Sequence, residues 1–177
     1  MIVLLDSSPL GLITNANRKN NEEAEKCARW LTDLLENSIP VYIPEICDYE
    51  VRRELTRIKS LKALRRLDDL QRVKGIEYLP ITTKIMLKAS DLWADARQKG
   101  KATSGDKALD GDVILAATAI SSFLLEKTVI ATSNTKHLTW FTDAREWQEI
   151  TVEDCLTADG AAKKPFPISI QIETKIT

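Results

Sequence analysis

Short β-prone runs alternate with helical patterns along the chain, and this alternation restricts the possible folds more than any other feature. The runs are short and mostly apolar: IVLL at 2–5, VYIP at 41–44, IEYLPI at 76–81, TVIATS at 128–133 and EWQEI at 146–150. Between them, apolar residues recur at helical spacing, as in residues 24–35, 55–70 and 85–96. Strands that alternate with helices predict an α/β fold with a central, mainly parallel sheet of about five strands.

Length and composition indicate one globular domain. The 177 residues carry a formal net charge of -1, with 44% hydrophobic and 29% charged residues. These values are typical of a soluble globular protein and not of a disordered or membrane protein, but they identify no partner. The chain is long enough to bury its own core, so we expect a single domain over residues 1–157. Residues 158–177 are then a C-terminal tail, for which an edge strand, a partner-binding strand and a loosely held terminus stay open.

The N-terminus and the cysteines bear on the cellular compartment. The first residues have no basic region before the apolar run and no cleavage site after it, unlike a signal peptide. No apolar run approaches the roughly 20 residues of a spanning helix, so we expect a cytoplasmic protein. Cys27, Cys47 and Cys155 are odd in number and far apart. This spacing predicts buried free thiols, and neither disulfides nor a zinc site.

Acidic and amide side chains lie near the carboxyl ends of the predicted strands. A parallel sheet forms its ligand-binding sites at that edge. Asp6 directly follows the first run, Glu50 opens the helix after the second run, and Asn134 follows the fourth. Asp110 and Asp112 begin the helix that leads into the fourth run, and the N-terminus of that helix must face the same edge. The sequence therefore predicts that four distant segments bring Asp6, Glu50, Asp110 or Asp112, and Asn134 together.

Each of these residues also has a purely structural interpretation. In this alternative, Asp110 caps a helix, a role that contributes about 1 kcal/mol, and Asp112 in the first turn suits the helix dipole. Glu50 taken alone is a solvated helix residue. Asp6, which two serines follow, forms a side-chain turn.

Convergence of the acids changes their energetics. Two carboxylates about 5 Å apart repel each other by about 3 kcal/mol at an effective dielectric constant of about 20. This repulsion exceeds what one helix cap contributes, so a cluster requires a cation. Oxygen ligands without histidine or cysteine suit Mg²⁺ or Mn²⁺. Such an ion activates water and offsets charge on a phosphate under attack.

Four segments resemble the PIN domain, the fold of the VapC-type toxin ribonucleases. They are VLLDSSPL with Asp6, PEICDYEVRREL with Glu50, LDGDVILAATAI with Asp112 and VIATSNTKHL with Asn134. Each segment is a weak motif by itself, but their order and spacing cover nearly all of the chain before the tail. The resemblance implies a three-layer α/β/α fold around the central sheet.

The resemblance also implies roles for individual residues. Asp6, Glu50 and Asp112 are the expected acidic metal ligands, with Asp110 close by as a ligand or as an acceptor behind one. Asn134 occupies a position where the family carries Asp or Asn. An amide there orients water or substrate in place of binding a second ion, so one-ion and two-ion mechanisms both stay open.

Family members usually cleave RNA, often as dimers, and the toxins among them are neutralised by an antitoxin that covers the site. The resemblance therefore implies an RNA substrate, Mg²⁺ or Mn²⁺ as cofactor, and both a homodimer and an antitoxin protein as partners. A helical insertion after Glu50 makes the chain longer than a minimal toxin.

Residues 51–74 are strongly basic, with nine lysines and arginines against three acids. This local excess of positive charge predicts phosphate binding beside the acids, with Arg52, Arg53 and Arg57 closest in sequence to Glu50. The alternative is a solvated helix face opposite a leucine stripe. Aromatic residues are not interleaved with these charges, so base stacking by this helix is not predicted.

The remaining candidates are weaker. His137 is the only histidine, and a structural or polar loop role is preferred to catalysis. The serines after Asp6 lie in no Gly-x-Ser-x-Gly elbow, which disfavours a serine nucleophile. Asp106 and Glu54 are reserve ligands, with solvated roles as the alternative. The tryptophans are interpreted as core or interface residues: Trp30, Trp93, Trp140 and Trp147.

The leading hypothesis is a metal-dependent endoribonuclease in which Asp6, Glu50 and Asp112 hold the ion while Asp110 and Asn134 position water. The second hypothesis is a PIN-like nucleic-acid-binding module that is catalytically weak or inactive, which the amide of Asn134 favours. An acyl-aspartate phosphatase is disfavoured, because the second residue after Asp6 is a serine where that chemistry usually places another acid.

Overall fold

Five parallel strands form the central sheet of the part of the chain that the structure describes. The structure is a computed structural model and describes residues 1–101 and 110–157. In chain order the strands are β1 (Ile2–Leu5), β2 (Val41–Pro44), β3 (Ile76–Leu79), β4 (Thr128–Thr132) and β5 (Ala144–Glu146). Across the sheet they lie in the order β3-β2-β1-β4-β5, and every neighbouring pair is parallel.

Seven α-helices pack with this sheet over the same residues. They are α1 (Ser7–Thr14), α2 (Glu22–Glu36), α3 (Glu45–Arg57), α4 (Leu61–Leu70), α5 (Thr83–Gln98), α6 (Gly111–Ser122) and α7 (Val152–Thr157). Every residue of β1 and β2 is buried. Since successive side chains of a strand point to opposite faces, both faces of the sheet are covered. The α/β fold is therefore confirmed, with a sheet that is entirely parallel.

The strand order creates a switch point between β1 and β4. The chain passes from β1 through β2 to β3 in one direction, and then returns to place β4 on the other side of β1. In open α/β sheets, ligands bind at the carboxyl ends of the strands where the order reverses. Asp6 follows β1 and Ser133 follows β4. We call this carboxyl edge of β1, β2 and β4, with the helices that begin there, the rim.

The first four predicted strands are confirmed, but the fifth prediction, at residues 146–150, was wrong. β5 lies two residues earlier and ends at Glu146, and residues 147–149 form a 3-10 turn. Trp147 is buried in this turn, with its ring centre 5.7 Å from that of Trp30. The indole Nε1 of Trp30 donates to the carbonyl oxygen of Ile150 at 2.8 Å. Packing of the two tryptophans thus replaces a strand in the segment where β propensity predicted one.

The helical pattern over residues 55–70 is interrupted. α3 ends at Arg57 and α4 begins at Leu61, and Lys59 between them has a left-handed φ of 55°, which breaks the helical hydrogen-bond ladder. Ile58 is 52% exposed and Leu61 is 68% exposed, so the apolar stripe is not buried continuously. The prediction that Glu50 opens a helix was also wrong, because α3 begins five residues earlier, at Glu45.

The three cysteines are free and buried, as predicted. Within residues 1–101 and 110–157, no helix is both long enough and apolar enough to cross a membrane. Asp106 and the predicted tail, residues 158–177, lie outside the described residues.

Candidate active site

The carboxylate of Asp6 is fixed at the end of β1 by four hydrogen bonds. Its Oδ1 accepts the backbone N–H of Ser7 at 2.6 Å and the Ser7 hydroxyl at 3.2 Å. Its Oδ2 accepts the hydroxyls of Ser8 at 3.1 Å and Thr132 at 2.7 Å. The backbone contact makes Asp6 the N-cap of α1. Both carboxylate oxygens are therefore oriented by neighbouring side chains at the rim.

Thr132 and Ser8 connect this carboxylate to the loop after β4. Thr132 is fully buried, and its hydroxyl donates to Asp6 while accepting the N–H of Asn134 at 2.9 Å. The Ser8 hydroxyl likewise donates to Asp6 and accepts the N–H of Ser133 at 2.8 Å. Because a hydroxyl has one hydrogen and two lone pairs, each of these side chains fixes the position of Asp6 relative to the loop.

Glu50 reaches the rim from the middle of α3. Its carboxylate shares the single hydrogen of the Ser7 hydroxyl with Asp6, and it lies so close to Gly111 that a Cβ at that position would overlap its Oε1. Burial raises the pKa of Glu50, and the negative charges of Asp6 and Asp112 raise it further, while the hydrogen bond from Ser7 opposes the increase. Glu50 is therefore within electrostatic range of acids from two other segments.

Asp110 and Asp112 lie at the start of α6. Asp110 is buried, and it caps the helix by accepting the N–H of Val113 at 3.3 Å. Asp112 lies in the first turn, and its Oδ2 accepts a hydrogen bond from Nδ1 of His137 at 3.3 Å. Burial raises the pKa of Asp112, and the charges of Asp6 and Asp110 add to this increase, whereas the contact with His137 lowers the pKa.

The pKa of the buried Cys47 thiol depends on three of the acids. Burial raises the pKa of Cys47 well above its usual value, and the negative charges of Asp6, Glu50 and Asp112 raise it further. These carboxylates come from three separate elements of the fold. All three act on the same thiol from the rim, and we call these three residues the acid cluster.

The acid cluster forms no ion pair with a lysine or arginine in the part of the chain that is described. Over residues 1–101 and 110–157, no lysine or arginine forms an ion pair with any of its three carboxylates. In the same residues, no three acidic, histidine or cysteine side chains lie close enough to ligate one ion directly. The donors nevertheless fit a hydrated Mg²⁺ or Mn²⁺ ion, because Mg²⁺ uses one or two carboxylates and retains waters.

Comparison with known families identifies the fold. The family model of the PIN domain matches residues 3–138. The chain belongs to the PIN-domain family. The matched region contains the acid cluster, Asp110 and Asn134, and the match confirms the resemblance that the four sequence segments indicated.

The fold of this PIN domain is similar to that of several solved structures. VapBC2 from Rickettsia felis, bound to a DNA fragment from its promoter, has a TM-score of 0.64 and 19% identity, covering 83% of this chain and 99% of that chain. VapBC-1 from nontypeable Haemophilus influenzae has a TM-score of 0.58 and 18% identity, covering 84% and 100%. FitAcB from Neisseria gonorrhoeae has a TM-score of 0.57 and 18% identity, with the same coverage. The search of the curated proteins found no match.

Asn134 lies on the loop that leaves the rim of the PIN domain. Its side chain is exposed, and its Oδ1 accepts the N–H of Lys136 at 3.3 Å. Its connection to the acid cluster is through its backbone N–H and the Thr132 hydroxyl. The reserve ligand Glu54 is exposed and pairs with Arg57 at 2.6 Å, so its charge is compensated outside the cluster.

Two of the three arginines predicted to bind RNA form ion pairs within the PIN domain. Arg52 binds Asp48 through two contacts, with Nε 2.8 Å from Oδ2 and Nη2 3.0 Å from Oδ1. It also binds Asp68 of α4 at 2.8 Å. Arg57 pairs with Glu54 on its own helix. The positive charges of both arginines are therefore compensated by neighbouring carboxylates.

Arg53 is in a different environment, because its positive charge lowers the pKa of Glu50. Its guanidinium lies 5.4 Å from the centre of the Tyr49 ring, and Tyr49 is 49% exposed. Residues 51–74 contain no aromatic residue interleaved with their charges, and Tyr49 lies just outside that segment. Tyr49 precedes that segment in sequence, and a spacing of four residues on α3 brings it beside Arg53.

The structure adds residues to the site that the sequence did not predict there: Ser7, Ser8, Gly111, Thr132 and His137. A glycine between two acids at a helix start, in LDGD, and hydroxyls directly after an acid, in DSS, were signals that could have indicated three of them. Thr132 gave no signal, because strand propensity already explains a β-branched residue in that run. The contact of His137 with Asp112 depends on the course of the loop after β4.

Proposed function

We propose that this PIN domain is a metal-dependent endoribonuclease that hydrolyses phosphodiester bonds of RNA. The observation that carries the proposal is the placement of Asp6, Glu50 and Asp112, from three different elements, at one rim of the sheet. Burial raises the pKa of Glu50 and Asp112 there, and the neighbouring negative charges raise it further. Partly buried acids without a lysine or arginine ion pair destabilise a folded chain, and they are therefore more typical of functional sites than of structural ones. Membership of a family whose members are generally nucleases supports the proposal.

The acid cluster would hold Mg²⁺ or Mn²⁺, either directly or through water, with Asp110 behind Asp112. A divalent ion bound there supplies positive charge for a phosphate and makes water more acidic. The carboxylates provide the negative charge that the ion requires, and their raised pKa values make binding weaker in acid, where protons compete for the same oxygens.

Hydrogen bonds hold the carboxylates in position before substrate arrives. Ser7 contacts both Asp6 and Glu50, while His137 contacts Asp112 through Oδ2. Preorganisation of this kind lowers the barrier because the donors do not have to be reoriented during the reaction. We assign substrate phosphate binding to Arg53, and orientation of water or substrate to the amide of Asn134.

An antitoxin and a second copy of the chain belong to the same proposal. The similar solved structures include VapBC2 and VapBC-1, which are toxin–antitoxin complexes. We therefore infer that the chain is the toxin of such a pair, that the antitoxin covers the rim, and that the PIN domain forms a homodimer. Size-exclusion chromatography with light scattering measures the oligomeric state directly.

The alternative of a nucleic-acid-binding module without activity has less support. It depends on the amide of Asn134, which lacks the charge of a fourth acid, whereas the family match favours a nuclease. RNA retention with no turnover of several RNAs in either ion would select this alternative.

Cleavage of single-stranded RNA in Mn²⁺ tests the proposal. We expect wild-type protein to cleave, and we expect EDTA or the Asp6→Asn substitution to reduce the rate by a factor of about 100 or more, because each removes electrostatic stabilisation of the reacting phosphate. Asp33→Asn changes an exposed acid of α2 and serves as the matched control. Equal cleavage by Asp6→Asn, or undiminished cleavage in EDTA, rejects the proposed mechanism.

A further inference from the structure

Trp140 presents an aromatic surface to solvent beside the acid cluster. Its side chain is 37% exposed, whereas Trp147 is buried. It ends a 3-10 turn, Leu138–Trp140, which follows β4 along the chain. Leu138 is buried in the core and anchors this turn. The turn that carries the exposed ring is therefore attached to the core through Leu138.

His137 connects the Trp140 ring to the acid cluster. The two ring centres lie 5.0 Å apart, with their planes tilted by 41°, and Nδ1 of His137 lies 3.3 Å from Oδ2 of Asp112. The aromatic surface thus begins one side chain away from a proposed ion ligand. A ring at this position is suited to contact a nucleotide adjacent to the phosphate that reacts.

Lys101 adds positive charge to the same surface. Its Nζ lies 5.6 Å from the centre of the Trp140 ring, within the range of a cation–π contact, and the side chain is exposed. An ammonium group binds phosphate oxygens as a point charge. The ring and the ammonium together match the two parts of a nucleotide, its flat base and its charged phosphate.

We propose that His137, Trp140 and Lys101 form a nucleotide-binding subsite in which an unpaired base stacks on Trp140 and a neighbouring phosphate binds Lys101. This inference rests on the proposed nuclease function and adds a position beside Asp112 at which an unpaired base of the substrate binds. A base must leave its duplex before it can offer a face to an exposed ring. Because every base has such a face, the subsite selects unpaired RNA with little preference for sequence.

A protein segment is another possible occupant, because aromatic side chains are enriched at protein interfaces. The charge of Lys101 and the contact between His137 and Asp112 favour the nucleotide. A phosphate chain complements the ammonium group and is continuous with the scissile phosphate, and a protein partner requires neither feature.

RNA binding by the Asp6→Asn variant tests the subsite separately from cleavage. Fluorescence anisotropy with a labelled single-stranded oligonucleotide gives the affinity, and we expect Trp140→Ala in this background to weaken it about tenfold, the effect of losing one stacked base. Trp140→Phe retains a ring and should keep most of the affinity. Lys101→Ala should weaken binding at low salt and have little effect at high salt. Leu125→Ala, at a fully exposed leucine, is the matched control.

A duplex of the same sequence distinguishes base stacking from a general loss of binding. We expect duplex RNA to bind more weakly than the single strand and to be unaffected by Trp140→Ala. Unchanged affinity of Trp140→Ala for the single strand overturns the subsite and leaves Trp140 as a protein contact. Equal weakening of single-strand and duplex binding also overturns it.

The subsite proposal and the nuclease proposal are rejected by different experimental results. If wild-type protein leaves RNA intact in Mn²⁺, the nuclease proposal fails, while the anisotropy result still decides whether the base stacks. If the wild-type protein cleaves and Trp140→Ala has unchanged KM and kcat, the subsite alone is rejected.

Discussion

Glu50 and Asp112 bind protons more readily in the folded chain than in the unfolded one, because burial and neighbouring negative charges raise the pKa of both. Near neutral pH, the folded state therefore contains two carboxylates whose negative charges are less well solvated than they are in the unfolded chain. Hydrogen bonds from Ser7 to Glu50 and from His137 to Asp112 offset part of this effect. The acid cluster thus lowers the free energy of unfolding unless a cation is bound.

Replacing Glu50 by glutamine should stabilise the metal-free protein near pH 7. The stabilisation that protonation of Glu50 gives is fully present below its ordinary pKa of about 4 and is lost as pH rises through the raised folded-state pKa. In EDTA at pH 7 we expect Glu50→Gln to increase the free energy of unfolding by about 1 kcal/mol or less, after allowance for solvent screening. The difference should disappear near pH 4. Circular dichroism during heating measures it as a change in Tm.

Glu54→Gln is the control of opposite sign for this experiment. The hydrogen bond from Arg57 lowers the pKa of Glu54, so removal of its charge should not stabilise the protein at pH 7. A Glu50→Gln variant that melts at or below the wild-type temperature at pH 7 would contradict the electrostatic account of the acid cluster.

Gly111 is expected to be required for the position of Glu50. A Cβ at residue 111 overlaps the Glu50 carboxylate, so Gly111→Ala should displace that carboxylate and reduce Mn²⁺ affinity about tenfold or more, the effect of losing one ligand contact to the metal. Alanine is a better helix former than glycine, so α6 should still fold. Isothermal titration calorimetry with Mn²⁺ and the RNA cleavage rate measure the two effects.

Gly11→Ala is the matched control for this substitution. Gly11 lies in α1 and has no atom within 4 Å of an added Cβ. We expect a gain in stability of about 0.5 to 1 kcal/mol and unchanged Mn²⁺ binding. Wild-type affinity in Gly111→Ala would show that Glu50 is not a ligand.

The positions of Asp6 and Asp112 at the rim could be predicted because each follows from the position of a strand or helix in a parallel sheet. Glu50 was expected there as the first residue of a helix, whereas it reaches the rim from the middle of α3. The contacts of Gly111 and Thr132 could not be predicted in the same way. They depend on how closely α3 approaches α6 and on side-chain rotamers at the end of β4, which no local pattern encodes.

Helix α3 carries Glu50 and is also attached to other parts of the fold. Arg52 joins Asp48 of α3 to Asp68 of α4, and Glu45 accepts the backbone N–H of Ile81 at 2.7 Å. These contacts fix the rotation of α3 about its axis. The part of the basic segment that was predicted to bind RNA therefore also orients the helix that delivers Glu50.

The turn between α3 and α4 provides a test of the element boundaries. Lys59 has a left-handed φ of 55°, which glycine adopts without strain, so Lys59→Gly should stabilise the fold by about 1 kcal/mol or less. Lys62 is exposed within α4, and Lys62→Gly should destabilise the fold by about 1 kcal/mol. Urea unfolding measures both changes. Equal destabilisation by the two substitutions would mean that the helix continues through residue 59 in solution.

Most elements could be predicted from periodicity, but their boundaries depended on tertiary contacts. The strand runs IVLL, VYIP and TVIAT are apolar and buried, and local pattern was sufficient to find them. β5 is short, and its position depends on the packing of Trp147 against Trp30. The break at Lys59 interrupts an apolar repeat that by itself predicts one long helix.

For the whole molecule, the important feature is the adjacency of β1 and β4. Only this strand order places Asp6 beside Thr132 and the loop that carries His137. Periodicity predicts alternating strands and helices but leaves their order across the sheet open. The resemblance to PIN domains implied a central, mainly parallel sheet within three layers, and the structure supplies the order, with β1 paired in parallel to β4.

The location of Mn²⁺ in crystals soaked with the ion tests the central claim most directly. Anomalous diffraction should show Mn²⁺ at the rim, within coordination distance of a carboxylate oxygen of Asp6, Glu50 or Asp112, and it should also count the ions. Saturating Mn²⁺ without an anomalous peak between these residues, or with peaks only elsewhere on the surface, would contradict the claim that the acid cluster is a metal site.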